Sequence, residues 1–153
     1  MMIRIICVGK QKEPYYIQAA QEYIKRVKKY AKIEIIQMPE YKLYDNSSAF
    51  IEKALTQEAK SVQPYLKGVA VALDSQGEQL TSEEFASFLR SSLSPDITFI
   101  IGSSLGLSDQ IKQAADKVIS FGKMTYPHRL MRVILLEQIY RAFCIINNTP
   151  YHK

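Results

Sequence analysis

The sequence predicts an α/β domain whose mostly parallel sheet is flanked by helices. Five short segments rich in β-branched residues alternate, along 153 residues, with stretches whose apolar residues recur at helical spacing. Such alternation is typical of a parallel sheet covered on both faces. The length and the 47% hydrophobic content suit one core, so we expect a single domain spanning residues 1–153.

The first half of the chain contains two strand–helix pairs. Residues 3–8 are mostly β-branched and end at Gly9, which predicts a strand buried on both faces. Pro14 suits a first helical turn, and the apolar residues then keep helical spacing as far as Val27. A second strand is predicted at 33–36, a polar loop at 38–48 and a second helix at 49–62, which Pro64 ends.

The second half repeats this alternation. A strand at 68–73 precedes a turn at 74–77, and Thr81 with Glu84 forms a capping box that opens a helix through Leu89. A strand at 97–101 stops at Gly102, a short helix is capped by Ser108, and a last strand is predicted at 118–121. The ligand crevice of such a domain is expected at the carboxyl ends of the strands.

The closing helix begins near Pro127 and carries apolar residues in almost every direction around its axis. One face of a sheet cannot bury all of these side chains. A helix that is apolar nearly all round is central in its fold or shared with another subunit. We therefore predict a homodimer.

Charge is concentrated at the carboxyl end. Residues 120–153 contain five basic residues and one acidic residue, whereas residues 1–119 contain fifteen and fourteen. Both histidines also lie in this segment, which ends in Tyr151, His152 and Lys153. This pattern predicts an ordered terminus that faces a polyanion.

Other compositional features exclude several classes of protein. Cys7 and Cys144 lie far apart in apolar surroundings, which favours reduced thiols and a cytoplasmic location. No segment has the length of a membrane span or a signal peptide. Metal-binding, dinucleotide, phosphate-loop and serine-nucleophile motifs do not occur, so we expect neither a metal nor a nicotinamide cofactor.

Three loops follow predicted strands, at 73–77, 102–106 and 121–126. If the strands are neighbours, the loops converge, and their glycines let the backbone approach a ligand. Gly102 and Gly106 could equally make only a tight strand-to-helix connection. Glu137 and Arg141 could likewise be an ordinary intrahelical ion pair, although charge in so apolar a helix favours a functional role.

The motifs at 120–128, 132–133, 137–142 and 150–153 closely resemble the RlmH family of SPOUT methyltransferases. The resemblance continues through 99–102 with Gly106 and Leu107, through 73–74 with Gly77, and to residues 3–9, so it covers the whole chain. The sequence departs from the family at Ser103, where a second glycine is usual, at Arg129, where glutamine is usual, and at Asn148, where glycine is common.

The resemblance implies a SPOUT-type fold with a carboxyl-terminal trefoil knot, a homodimer, and S-adenosylmethionine as methyl donor. It implies methylation of N3 of a pseudouridine in helix 69 of the large-subunit (23S) ribosomal RNA. The positions that it assigns to donor binding are Leu73, Gly102, Phe121, Gly122, Lys123, Met124, Thr125 and Tyr126. Those that it puts near the transferred methyl are Glu137, Arg141, Tyr151 and His152, and the last two could come from the other subunit.

Basic residues near these positions are candidates for RNA contacts. They are Lys123, His128, Arg129, Arg132 and Lys153, with Lys10, Lys12 and the run at 25–29 as further phosphate contacts or simply a solvated helix face. Either Glu137 or His152 could assist proton removal. A large subunit or an assembled ribosome is the expected substrate. A transfer RNA target, a small-molecule methyltransferase and a non-catalytic RNA-binding or ribosome-associated protein stay open as alternatives.

Overall fold

The structure, a computed structural model, describes residues 2–92 and 96–153. Within these residues strands and helices alternate in the predicted order, which confirms the α/β class. The elements are β1 (Met2–Val8), α1 (Pro14–Val27), β2 (Lys32–Met38), α2 (Ser48–Val62), a 3-10 helix (Gln63–Tyr65), β3 (Val69–Gln79), α3 (Ser82–Ser92), β4 (Ile97–Ile101), α4 (Asp109–Ala114), β5 (Lys117–Ser120) and α5 (His128–Ile146).

The five strands form one sheet in the order β2-β1-β4-β3-β5. Every neighbouring pair is parallel. Because β4, β3 and β5 are adjacent, the loops that follow them start from the same edge of the sheet. This order gives the predicted crevice its position.

The central strands are buried on both faces, as the unbroken β-branched runs predict. Ile3, Ile5 and Cys7 of β1 belong to the core that α1, α3 and α5 cover. Ile6 and Val8 belong to the opposite core, under α2 and α4. Burying each large apolar side chain of this kind stabilises the fold by about 1.5–3 kcal/mol.

Helix starts follow the capping residues of the sequence. The backbone N–H of Thr81 donates to Glu84 Oε2 (2.7 Å), and the N–H of Glu84 donates back to Thr81 Oγ1 (3.1 Å). Ser108 Oγ accepts from the N–H of Ile111 at 3.2 Å. These bonds satisfy donors that a helix leaves free at its amino end, and they confirm both predicted helix starts.

The end of β3 differs from the prediction. The strand does not stop at Leu73, because Leu73 and Glu78 both pair with Ile119, and residues 74–77 form a bulge between them. Gly77 closes this bulge: a Cβ there would lie 2.8 Å from the carbonyl carbons of Val118 and Ile119. The turn-like composition of 74–77 therefore produces an irregularity within a strand.

Helix α5 packs against the sheet between α1 and α3. Its most buried side chains face this core, and the Phe143 ring stacks on Tyr30 with centroids 5.2 Å apart. Much of its apolar surface is thus covered within one chain. The apolar side chains that are only partly buried include Val133, Ile134, Ile145 and Ile146. Among the described helices none is long and apolar enough to cross a membrane.

Candidate active site

A cavity of about 510 Å³ opens at the carboxyl ends of β3, β4 and β5. Its volume lies within the range of about 300–1,000 Å³ that is usual for small-molecule sites. All three loops contribute to it, which confirms their predicted convergence. The cavity is lined by Leu73, Asp74, Ser75, Ile101, Gly102, Ser103, Ser104, Gly106, Ile119, Phe121, Gly122, Met124, Thr125, Tyr126, Pro127, His128 and Met131.

The loop after β4 folds tightly back on itself. A Cβ on Gly102 would lie 2.4 Å from the carbonyl oxygen of Gly106, so no side chain fits at position 102. The N–H of Gly106 donates to the carbonyl of Ser103 (2.9 Å), and Gly106 has a φ of 81°, which favours glycine. The turn therefore presents backbone to the cavity.

The loop after β5 is fixed by a single hydroxyl group. Ser120 Oγ donates to the carbonyl of Gly122 (2.9 Å) and accepts from the N–H of the same residue (3.1 Å). Seven of the eight positions that the resemblance assigns to donor binding line the cavity. The exception is Lys123, which is exposed and does not line it.

The other predicted residues meet at the far end of α5. Glu137 Oε1 accepts from Arg141 Nε at 3.0 Å and from the Tyr151 hydroxyl at 3.1 Å. Glu137 Oε2 accepts from Gln138 Nε2 at 2.8 Å. The Arg141 guanidinium lies over the Tyr151 ring, 4.7 Å from its centroid. We call Glu137, Arg141, Tyr151 and His152 the carboxyl-terminal cluster.

His152 occupies a defined tautomer in this cluster. Its Nδ1 lies 3.2 Å from Arg141 Nη1, and its Nε2 lies 2.8 Å from Glu83 Oε1. Because a guanidinium can only donate, Nδ1 must accept, and Nε2 therefore carries the proton given to Glu83. This bond lowers the pKa of Glu83. Glu83 lies in the first turn of α3, and no local signal connects it with a residue 69 positions away.

Tyr151 is a neutral donor here. Its burial, followed by its bond to Glu137, raises the pKa of Tyr151 to about 12. Both oxygens of Glu137 are also occupied by donors. The carboxyl-terminal cluster thus offers a cation and hydrogen-bond donors, while its two candidate bases are engaged with Arg141.

Within one chain this cluster stands apart from the cavity. None of its four residues lines the cavity, whereas Met131 of the same helix does. Glu137 and Arg141 follow Met131 by six and ten residues, a rise of about 9 and 15 Å along the helix axis. One chain brings the cluster together but does not bring it to the cavity.

The candidates for RNA contacts lie in different environments. Lys123 and Lys153 are exposed. Arg129 Nη1 donates to Glu13 Oε1 at 2.7 Å, and this hydrogen bond lowers the pKa of Glu13. His128 lines the cavity 3.3 Å from Glu40, and desolvation lowers the pKa of His128.

Arg132 corrects the prediction. It is only 3% exposed, and its guanidinium donates to the carbonyl of Gly9 (3.1 Å) and to Gln37 Oε1 (3.2 Å). A phosphate cannot reach a group so deeply buried. The predicted RNA contact at Arg132 is therefore wrong, and the residue instead joins α5 to the ends of β1 and β2.

Both cysteines are buried and free, and burial raises the pKa of the Cys7 thiol to about 11. Within residues 2–92 and 96–153, no group of three or more His, Cys, Asp or Glu side chains could hold a metal ion.

A parallel α/β sheet with a backbone-lined cavity at its strand ends defines a class of ligand-binding domains. The chain belongs to one family of that class, since the family model described as "Predicted SPOUT methyltransferase" matches residues 1–152. It is 45% identical, over the full length of both chains, to "Ribosomal RNA large subunit methyltransferase H 1" of Clostridium perfringens. It is equally similar to "Ribosomal RNA large subunit methyltransferase H" of Carboxydothermus hydrogenoformans, again over the full length of both.

Solved structures support the fold. A probable methylase family protein of Haemophilus influenzae superposes with a TM-score of 0.58 at 11% identity, covering 99% of this chain and 70% of that one. A Legionella pneumophila protein described as a methyltransferase, solved with bound SAM, gives a TM-score of 0.53 at 11% identity, covering 94% of this chain and 66% of its own.

Proposed function

We propose that the protein is an S-adenosylmethionine-dependent methyltransferase of large-subunit ribosomal RNA. The proposed target is N3 of a pseudouridine in helix 69 of 23S RNA. The observation that carries the proposal is the cavity, whose lining includes seven of the eight positions that the family resemblance assigns to donor binding. Full-length similarity to relatives named for this activity supports the RNA class. Residues 1–153 would act as one SPOUT domain, in the cytoplasm where ribosomes assemble.

The cavity suits the donor chemically. Leu73, Ile101, Ile119 and Met131 give it apolar walls that fit a flat adenine ring. The glycine-containing turns offer backbone donors and acceptors, and Asp74 adds a carboxylate, which suits ribose hydroxyls or a cationic ligand. The Legionella structure of the same fold contains SAM.

In this reaction the chain would position the substrate and stabilise charge. Bound S-adenosylmethionine would supply an activated methyl group. The chain would hold the ring nitrogen in line with that group. Arg141 would stabilise the negative charge that the uracil-like ring gains as its N–H proton leaves, and Tyr151 would donate a hydrogen bond. Glu137 or His152 would take the proton, once substrate binding has separated that side chain from Arg141.

We propose that a second copy of the chain completes the site. The supporting observation is the separation of the carboxyl-terminal cluster from the cavity along α5. The partly buried apolar residues of α5 would form the contact, because such a surface is stabilised by burial against a partner. The cluster of one subunit would then serve the cavity of the other. We also propose that the carboxyl-terminal segment forms the trefoil knot that the family resemblance implies.

The direct test is transfer of labelled methyl from S-adenosylmethionine to ribosomes from cells that lack this protein. We expect label in a single 23S nucleotide, and none with a chain truncated before Tyr151. Arg90→Ala, which changes an exposed arginine on α3, serves as the control and should transfer normally. Ribosome binding without any label would favour a non-catalytic protein, and label in transfer RNA alone would overturn the ribosomal target.

Mixed dimers test the shared site. A Gly102→Val chain should fail at the donor cavity, and an Arg141→Ala chain should fail at the carboxyl-terminal cluster. A heterodimer of the two retains one intact composite site if the subunits cooperate, so partial activity is expected. Complete inactivity of a heterodimer that forms normally would contradict the proposal.

A further inference from the structure

We propose that Glu58, on α2, is a positioning residue for the donor cavity. Glu58 holds the turn at 102–106 from the side that faces away from the donor. The proposal rests on the proposed function of the cavity. It assigns a role to a buried acid that the sequence did not single out and that does not line the cavity.

The contact between Glu58 and the turn is direct. Glu58 is 5% exposed, and its Oε2 accepts a hydrogen bond from Ser103 Oγ at 3.1 Å. The same Oγ accepts from the N–H of Leu105 at 3.2 Å. The Ser103 carbonyl accepts from the N–H of Gly106. Glu58 therefore fixes the rotamer of the one side chain that closes the turn from within.

The surroundings of Glu58 make this burial costly. Its Oε1 is buried without a hydrogen-bond partner, and among the described residues no Lys, Arg or His nitrogen lies within 4.0 Å of its carboxylate oxygens. Desolvation raises the pKa of Glu58 against the hydrogen bond from Ser103, and the charge of Glu40 raises it further. A buried carboxyl group of this kind needs a structural or functional explanation.

A second cavity lies on the other side of the turn. Ser103 and Ser104 line the donor cavity, and they also line the second cavity of about 370 Å³ on the Glu58 side. That second cavity is bounded by Glu40 and the residues that follow it, and by Leu105. The turn is thus a thin wall between two spaces. Ser103 is only 6% exposed, and its bond to Glu58 is a side-chain hydrogen bond that joins this wall to α2.

Three variants test the proposal: Glu58→Ala, Ser103→Ala and Glu58→Gln. The first two should each weaken S-adenosylmethionine binding about tenfold, the effect of one buried hydrogen bond. The rate at saturating donor should stay within about twofold, since the methyl-transfer groups are untouched. The double alanine variant should bind no more weakly than either single variant. Glu58→Gln keeps an oxygen acceptor for Ser103 and should stay within about threefold of the wild type.

Calorimetric titration with S-adenosylmethionine, steady-state kinetics and urea unfolding give the readouts. Glu52→Ala changes an exposed acid on the same helix and should bind like the wild type. Wild-type affinity in both alanine variants would overturn the positioning role, as would a loss in Glu58→Ala that Ser103→Ala does not share. If Glu58→Ala unfolds, the Ser103→Ala and Glu58→Gln comparison still decides. A wild-type chain that binds no donor would instead refute the proposed function, and this inference with it.

Discussion

The proposed donor cavity and the carboxyl-terminal cluster are built in opposite ways. The cavity presents backbone, and Gly102 contributes to it by having no side chain. The cluster consists of side chains that hydrogen-bond to one another: Glu137, Arg141, Tyr151 and His152. Adding atoms should therefore damage the first region, whereas removing atoms should damage the second. Each region can then be disabled without changing the other.

The largest effect is expected from Gly102→Val. A Cβ at this position would lie 2.4 Å from a backbone oxygen, and no rotation of a side chain can relieve that contact. We expect the affinity for S-adenosylmethionine to fall about 1,000-fold, or about 4 kcal/mol, in calorimetric titration. Ser87→Ala, which changes an exposed serine on α3 outside the cavity, should stay within about twofold. A Gly102→Val chain that binds the donor tightly would show that the turn does not form the binding surface.

Arg141→Ala should separate the regions most clearly. It leaves Glu137 half-buried without its cation and removes the group that would stabilise charge on the ring. We expect single-turnover transfer to fall about 100-fold, as for loss of one charge-stabilising donor, while donor affinity stays within about twofold. Arg141→Lys keeps the charge but not the paired donors to Glu137. Its rate of transfer should therefore lie between those of the wild type and Arg141→Ala. A parallel loss of donor affinity would contradict the independence of the cluster.

Tyr151→Phe should have a smaller effect, because it removes one hydrogen bond to Glu137 and keeps the ring beneath Arg141. We expect about a fivefold loss of transfer, which corresponds to about 1 kcal/mol.

The same residue predicts a response to alkaline pH. Its folded pKa, about 12, lies above the ordinary value of 10.0, so the folded state retains this proton longer than the unfolded state does. The stability that Tyr151 contributes is therefore complete below pH 10 and is lost as pH rises towards 12. The free energy of unfolding, measured with urea across this pH window, should fall less steeply in Tyr151→Phe than in the wild type. Equal slopes in the two proteins would contradict the role of the tyrosine.

The smallest effects are expected from Lys123→Ala and Lys153→Ala, which change exposed lysines outside both regions. Each should weaken binding to ribosomal RNA about threefold and reduce the slope of log affinity against log salt concentration by about 1. Arg132→Ala offers a contrast, since its loss should lower the free energy of unfolding and leave that slope unchanged. A lower slope in Arg132→Ala would mean that its buried guanidinium becomes accessible to RNA.

Much of the fold could be predicted because its signals are local. The five strands were visible as β-branched runs, and the capping residues Thr81, Glu84 and Ser108 identified two helix starts. The convergence of three loops followed once the carboxyl ends of adjacent strands were expected to meet. The bulge at 74–77 was missed because its cause is distant: Ile119 pairs with both Leu73 and Glu78.

The candidate site was predicted in a different way. Resemblance to a family supplied the donor and methyl-transfer positions, and seven of the eight donor positions line one cavity. Their roles, the homodimer, the knot and the target nucleotide stay predictions. Arg132 was expected to contact RNA because it is basic and lies near the site positions, and basic residues are usually exposed. In the structure it is enclosed by Gly9 and Gln37 from the ends of two strands.

The sequence by itself determined the alternation of elements, the helix starts, and the glycine at position 102 that lets a backbone turn close. Those features depend on periodicity and on hydrogen bonds between residues a few positions apart. Only the tertiary structure decided which polar groups meet: His152 with Glu83, Arg132 with Gly9, and Glu58 with Ser103. Such pairs span 45 or more positions along the chain, and the order of the strands and the direction of the helices, which no local pattern encodes, bring them together.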